Sequence, residues 1–174
     1  MEDLKEKIRN IPDFPKKGIM FRDITTLLQD PKATKKAIQG MIKPFENEKI
    51  DVVIGTEARG FIFGAIIAFE LGVSFVPVRK PGKLPFETEK ASYEKEYGED
   101  ELEMHLDAIK KGDKVLVCDD LLATAGTAKA VKELVEKLGG EIIGFCFLIE
   151  LSFLQGREKL KPYKVFSLID YNSE

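Results

Sequence analysis

The sequence predicts an α/β fold, a mostly parallel central sheet flanked by helices, and three observations carry that prediction. Apolar runs rich in β-branched residues recur along the 174-residue chain, at 51–55, 74–78, 114–118 and 142–149. Each is short enough to be a strand buried on both faces. Stretches with apolar residues at helical spacing separate these runs, and polar loops follow three of them, after Ile54, Val78 and Cys118. Strands alternating with helices pack as parallel βαβ units with helices on both faces. Ligands of such sheets bind beyond the carboxyl ends of the strands, so the three loops are expected to meet at one edge.

The elements follow in order. Leu4, Ile8 and Ile11 fall on one face of a short N-terminal helix that ends before Pro12, and Pro15 and Gly18 enforce a loop over 13–18. Asp30 reads as an N-cap with Pro31 at the first helical position. Ala33, Ala37, Met41 and Phe45 then mark the buried face of an amphipathic helix. After the strand at 51–55, a helix runs from about Gly60 to Leu71 and closes at Gly72. Between Lys80 and Gly98 the pattern turns irregular, with Pro81, Gly82, Pro85 and many charges. Loops of that length in a compact domain are commonly lids or binding loops. His105, the sole histidine, reads as an exposed strand residue. The strand from Lys114 leads into a helix with Val131, Leu134, Val135 and Leu138 on one face, stopped by Gly139-Gly140. Runs at 142–149 and 165–169 supply the last strands, and residues 1–174 read as a single domain without internal repeats.

Composition narrows the partners. The chain is 44% hydrophobic and 33% charged with a net charge of −3, which leaves no basic surplus to neutralise nucleic-acid phosphates. Its start, MEDLKEKIRN, lacks the apolar core of a signal peptide, and the longest apolar stretch, 60–68, is too short to span a bilayer. Cys118 and Cys146 both lie in apolar runs and read as buried free thiols of a reducing, cytoplasmic compartment.

The chemistry concentrates in KVLVCDDLLATAGTA, residues 114–128. Asp119 and Asp120 stand where the apolar strand ends, and a small-residue turn, Ala123-Thr124-Ala125-Gly126-Thr127, precedes the next helix. Small residues let backbone N–H groups approach a ligand, threonines add donors, and a helix start favours an anion. Paired acids beside such a cradle suit a ligand carrying both a diol and a phosphate, as a sugar phosphate does. A dinucleotide fingerprint is absent. Gly55-Thr56-Glu57-Ala58-Arg59-Gly60 has P-loop glycine spacing, but Phe61 and Ile62 stand where lysine and Ser/Thr belong. Arg59, between a strand and an apolar helix, is placed either to hold an anion or simply to sit on a solvated loop.

These residues resemble the signature of the type I phosphoribosyltransferases. IPDFPKKGIMFRDITTLL, GTEARGFIFG, PVRKPGKLP and SYEKEYGEDELEMHLDAIKKGDKVLV extend the likeness over most of the chain, and within the family they are similar to the enzymes acting on adenine. The resemblance implies the type I phosphoribosyltransferase fold, with an N-terminal hood over 1–30 and a flexible catalytic loop within 80–98. It implies transfer of a 5-phosphoribosyl group from phosphoribosyl pyrophosphate to adenine, giving AMP and pyrophosphate. By the same resemblance Asp119 and Asp120 hold the donor's ribose, and Ala123, Thr124, Ala125, Gly126 and Thr127 hold its 5-phosphate. Arg59, Arg79 and Lys83 are matched to pyrophosphate, and Met20, Phe21, Arg22 and Leu151 to the adenine. Glu96 and Tyr97 match the catalytic pair of the loop. The likeness further implies Mg2+ carried largely by the substrate near Asp119 and Asp120, a cis Glu57–Ala58 peptide, and a homodimer.

One departure stands out. The family usually carries two glycines where this chain has Ala125-Gly126. With positive φ at 125, alanine costs on the order of 1 kcal/mol; with negative φ it is harmless. Two other readings stay open on the residues alone: a phosphoribosyltransferase for hypoxanthine, guanine or xanthine, and a non-catalytic nucleotide-sensing regulator on the same fold.

Overall fold

The apolar runs do become strands. The computed structural model describes residues 2–95 and 98–173. In chain order the elements are α1 (Glu2–Lys5), β1 (Arg9–Ile11), β2 (Phe21–Asp23), α2 (Thr25–Leu28), α3 (Pro31–Ile42), β3 (Val52–Thr56) and α4 (Gly60–Leu71). They continue with β4 (Ser74–Val78), β5 (Thr88–Lys95), β6 (Gly98–His105), β7 (Lys114–Leu122), α5 (Gly126–Lys137), β8 (Glu141–Leu151) and β9 (Val165–Tyr171). Short 3-10 turns occupy Lys43–Phe45, Ser152–Leu154 and Gly156–Leu160.

The central sheet is five-stranded, in the order β4-β3-β7-β8-β9, and every pairing in it is parallel. Its order reverses at β3: β4 pairs on one side, and β7, β8 and β9 succeed one another on the other. A crevice opens beyond the strand ends at such a switch point. Side chains alternate between the faces with period two. Leu116 and Cys118 join a core with Ala37 and Met41 of α3 and Phe63 and Ile67 of α4. Val115 and Val117 face the other way, onto Val131, Leu134 and Val135 of α5 and Leu102 and Met104 of β6. Each fully buried Val or Leu here stabilises by about 1.5–3 kcal/mol. The helix ends are capped as the sequence predicts. Asp30 accepts from Lys32 N and Ala33 N at the start of α3, and Gly72 ends α4 in the left-handed region. Cys118 and Cys146 are registered neighbours on β7 and β8, both free and buried; burial pushes the Cys118 thiol up, away from thiolate chemistry.

Four local expectations differ from the structure. The N-terminal helix stops at Lys5, and Arg9–Ile11 is a strand instead. Its ladder to Phe21–Asp23 puts Arg9 directly opposite Asp23, and the cross-strand ion pair, 2.5 Å, together with the backbone bonds, outweighs a weak helical stripe. The stretch read as irregular from Lys80 to Gly98 contains β5, which pairs antiparallel with β6. Its burial alternates: Ala91 is buried and Tyr93 half-buried, with Leu102 and Met104 buried on β6. The strand was hidden because Glu89, Lys90 and Ser92 interrupt its apolar pattern. His105 is half-buried, edge-on to Phe86 with ring centroids 6.2 Å apart. Finally, β7 runs on to Leu122, so Asp119 and Asp120 lie inside the strand.

Candidate active site

The three loops meet. Glu57 follows β3 and takes the Arg79 guanidinium of the segment after β4 at 3.0 Å. Arg59, just before α4, reaches Asp120 of β7, with Nε 2.9 Å from Oδ2. The Glu57–Ala58 peptide is cis. This convergence is the switch-point edge that the strand order defines.

A cavity of about 560 Å³ lies there, lined by Arg59, Asp119, Asp120 and the run from Leu121 to Ala128. Pro15, Lys16 and Ile19 border it from the segment between β1 and β2, and Tyr93 and Phe147 close its remaining walls. Asp119 is seated against the start of α4. A methyl on Gly60 would stand 2.6 Å from Asp119 Oδ1, so only glycine lets the carboxylate in. That same oxygen accepts from Asp120 N at 2.8 Å. Burial raises the Asp119 carboxyl well above the usual range, and the neighbouring Asp120 charge raises it further. Burial also raises Asp120, against the pull of Arg59. Asp120 Oδ2 is buried without a hydrogen bond of good geometry, so its contact with Arg59 is one of charge. Two acids forced together in an enclosed place are suited to a ligand that brings donors or cations.

The small-residue run 123–127 is a turn into α5. Ala125 precedes the helix with φ +66°, in the left-handed region that costs a non-glycine residue about 1–2 kcal/mol. The alanine is therefore the strained alternative of the two foreseen at this position. The helix behind it has 12 residues, long enough for its N-terminal N–H groups and dipole to attract an anion.

Other residues matched by resemblance fall elsewhere. Arg79 and Lys83 lie outside the cavity lining; both bind Glu57, which also accepts from Lys80 N at 3.0 Å. Burial opposes the charge on Glu57, yet the bonds from Lys83, Lys80 and Arg79 outweigh it and hold its carboxyl low. Phe21 lies beneath Arg59, its ring 5.1 Å from the guanidinium carbon, and its edge meets Phe14. Met20 is half-buried beside it. The Arg22 side chain turns away from the cavity, donating to Asn10 at 2.7 Å and stacking 4.0 Å over the Tyr171 ring. Leu151, at the end of β8, packs against the core shared with α3 and α4. Glu96 and Tyr97 lie outside the described residues. Among the described residues no cluster of three or more His, Cys, Asp or Glu is placed to hold a metal. The sequence did not mark Gly60, Pro15, Lys16 or Tyr93 as site residues; Gly60 alone carried a signal, as the glycine directly after Arg59.

A parallel sheet with paired acids and an anion cradle at its switch point defines a class, proteins that hold a phosphorylated sugar. The pattern of the phosphoribosyl transferase domain matches residues 23–174, and the chain belongs to that family. It is 58% identical over 170 residues to the adenine phosphoribosyltransferase of Acetivibrio thermocellus, across 97% of this chain and 99% of that one. The crystal structure of the Thermoanaerobacter pseudethanolicus adenine phosphoribosyltransferase superposes with a TM-score of 0.96 at 55% identity, covering 98% of this chain and 99% of that one. A Saccharomyces cerevisiae adenine phosphoribosyltransferase, solved with adenine and D-2,5-dideoxy-2,5-imino-altritol 1,6-bisphosphate, superposes with a TM-score of 0.91 at 44% identity, covering 96% and 97%. Among the described residues no helix is long and apolar enough to cross a membrane.

Proposed function

We propose that this chain transfers the 5-phosphoribosyl group of phosphoribosyl pyrophosphate to adenine, giving AMP and pyrophosphate. The observation that carries the reading is one cavity bordered by an acid pair, an anion cradle at the start of α5 and the Arg59 guanidinium. Relatives at 58% and 55% identity that bear this activity in their names support adenine as the acceptor.

Departure of pyrophosphate leaves an oxocarbenium-like centre, so catalysis rests on positioning and electrostatics and needs no protein nucleophile. Asp119 and Asp120 accept from the ribose hydroxyls, at about 1.5–3 kcal/mol for each charge-assisted bond. Thr124, Ala125, Gly126 and Thr127 present N–H groups and hydroxyls to the 5-phosphate, with Ala123 at the head of the turn. Arg59 stands at the cavity wall for the pyrophosphate, and Arg79 and Lys83 add charge when they leave Glu57. Glu96 and Tyr97 serve the base, Glu96 accepting from the protonated N7 side. Met20, Phe21, Arg22 and Leu151 frame adenine, Arg22 through its backbone because its side chain is engaged elsewhere. Mg2+, when carried in by the donor, supplies neutralisation of the leaving pyrophosphate. Among the described residues, Asp119 and Asp120 are the carboxylates that line the cavity, which fits an ion held mostly by substrate oxygens.

We assign a second copy of this chain as the partner. Ile62, Ile66 and Phe69 form a stripe on the outer face of α4, with Phe69 82% exposed, and an apolar row of that kind marks an interaction surface. Two buried free thiols suit a cytoplasmic setting. Incubation with donor, Mg2+ and each purine in turn tests the reading: kcat/KM is expected to be highest for adenine, and a higher value for hypoxanthine sinks it.

A further inference from the structure

The phosphate loop rests on an ionic assembly, a buried carboxylate met by a half-buried guanidinium, that no part of the reaction touches. Glu150, on β8, is 4% exposed. Arg157 Nε donates to its Oε1 at 3.1 Å and Nη2 donates to its Oε2. Ser167 Oγ, on β9, donates to Oε2 as well. The third arm of Arg157, Nη1, donates to Val165 O at 2.6 Å. One side chain thereby locks the turn that follows β8 onto β8 and β9 together. A planar fork meeting a carboxylate in two bonds fixes orientation as well as distance.

That turn is the seat of the loop. Gly156, the residue before Arg157, lies directly under Ala123: a methyl there would overlap the Ala123 carbonyl oxygen and stand 3.2 Å from Ala125 N. Lys159, two residues after Arg157, donates from Nζ to Thr124 O at 3.1 Å. Three successive loop residues are thus touched by the span 156–159. On either side of the contact a non-glycine residue has positive φ, Ala125 at +66° and Gln155 at +54°. Neither of the helical turns they lead into has a side-chain cap. Left-handed backbone at such residues persists only where surrounding contacts over-determine it.

We propose that Glu150 and Arg157 are positioning residues for the donor's 5-phosphate, clamping Gly156 and Lys159 against the phosphate loop so that Ala125 stays left-handed and the loop's N–H groups stay aimed. This rests on the function proposed above. The clamp acts on the donor half of the site; of the residues proposed to frame adenine, Leu151 shares β8 with Glu150, while Met20, Phe21 and Arg22 belong to the N-terminal segment.

Arg157→Lys keeps the charge and loses the fork. It is expected to raise KM for phosphoribosyl pyrophosphate by roughly 10-fold, as a small misplacement of positioning groups does, with KM for adenine within about twofold of the parent. Adding Ala125→Gly removes the need to hold a strained residue, so the double variant is expected to regain most of the lost donor affinity. A purely structural role for Arg157 would move both substrates together and gain nothing from glycine at 125; either result overturns the proposal. Should Arg157→Lys fold poorly, Lys159→Ala removes one clamp contact at the surface. There a roughly threefold loss of ribose 5-phosphate affinity by calorimetry supports the clamp and an unchanged affinity overturns it. Calorimetry needs no transfer. A parent chain inactive on every purine therefore overturns the functional reading, while the calorimetric ratio still decides the clamp.

Discussion

The phosphate loop and the cation cluster at Glu57 border the same sheet edge and are held in opposite ways. The loop is backbone, shaped by β7, α5 and the turn beneath it, with Gly156 and Lys159 in contact with its carbonyls. The cluster is side chain: Arg79 and Lys83, 34% and 46% exposed, converge on one nearly buried carboxylate. A shape fixed from below suits the phosphate that stays on the sugar from donor to product. Long cations gathered on a replaceable partner suit the pyrophosphate, which has to arrive and leave. On the function proposed above, the contrast is between a retained group met by rigid amides and a departing group met by charges free to change partners.

The largest expected effect breaks the acid pair beside the loop. Asp119→Asn should raise KM for the donor by roughly 10- to 100-fold, the loss of one or two charge-assisted bonds. The same variant should melt higher than the parent at pH 7. Because the folded chain raises the Asp119 carboxyl, its charge opposes folding increasingly as pH rises above the ordinary carboxylate value near 4. A lower melting temperature for Asp119→Asn would refute the strained-acid account. Next in size is the cation cluster. Lys83→Ala is expected to cost about 3- to 10-fold in kcat/KM for the donor with almost no change in melting temperature, since exposed pairs contribute about 0–1 kcal/mol. A large stability loss there would erase the distinction between fixed and exchangeable charge.

Ala125→Gly is smaller and opposite in sign. Relief of the left-handed strain, less the extra entropy of glycine, should stabilise by about 0.5–1 kcal/mol, a rise of roughly 1–4 °C for a domain of this size. Unchanged or reduced thermal stability would mean that the loop is not strained at that residue. The smallest effect at neutral pH lies in the hood, where backbone and side-chain bonds from Thr25, with Arg9, hold Asp23 at about 2. A depressed carboxyl stabilises above its unfolded value and loses that contribution as pH falls toward the folded one. The Asp23 contribution to stability should be flat near neutrality and decline from about pH 4 toward 2, and Asp23→Asn should remove that decline.

Much of the frame was legible because buried parallel strands write themselves as apolar runs, and Asp30, Gly72 and Gly139 punctuate the helices between them. The acid pair and cradle were legible for the same local reason, being contiguous in residues 114–128. β5 was missed because Ala91 and Tyr93 are its only apolar residues among those of described burial, and Glu89, Lys90 and Ser92 mask the period. The left-handed state of Ala125 was left undecided, since φ at one residue is fixed by what packs under it. Gly156 and Arg157 were missed for that reason too: the run GREKL, residues 156–160, is mostly charged, and its role depends on Glu150 and Ser167 from two separate strands.

Glu57 also governs how the site looks from a distance. Its carboxylate offsets one of the two charges of Arg79 and Lys83, Asp120 offsets Arg59, and the single positive charge left over sits on a chain with a net charge of −3. An anion diffusing several Debye lengths away therefore meets almost no steering field. Its encounter rate should respond weakly to ionic strength, like that of a neutral ligand. Attraction begins only at contact, when phosphate oxygens take the carboxylates' place on the cations. Salt should then appear chiefly in how fast the bound anion escapes, which places the electrostatics of this site in residence time and leaves little for capture.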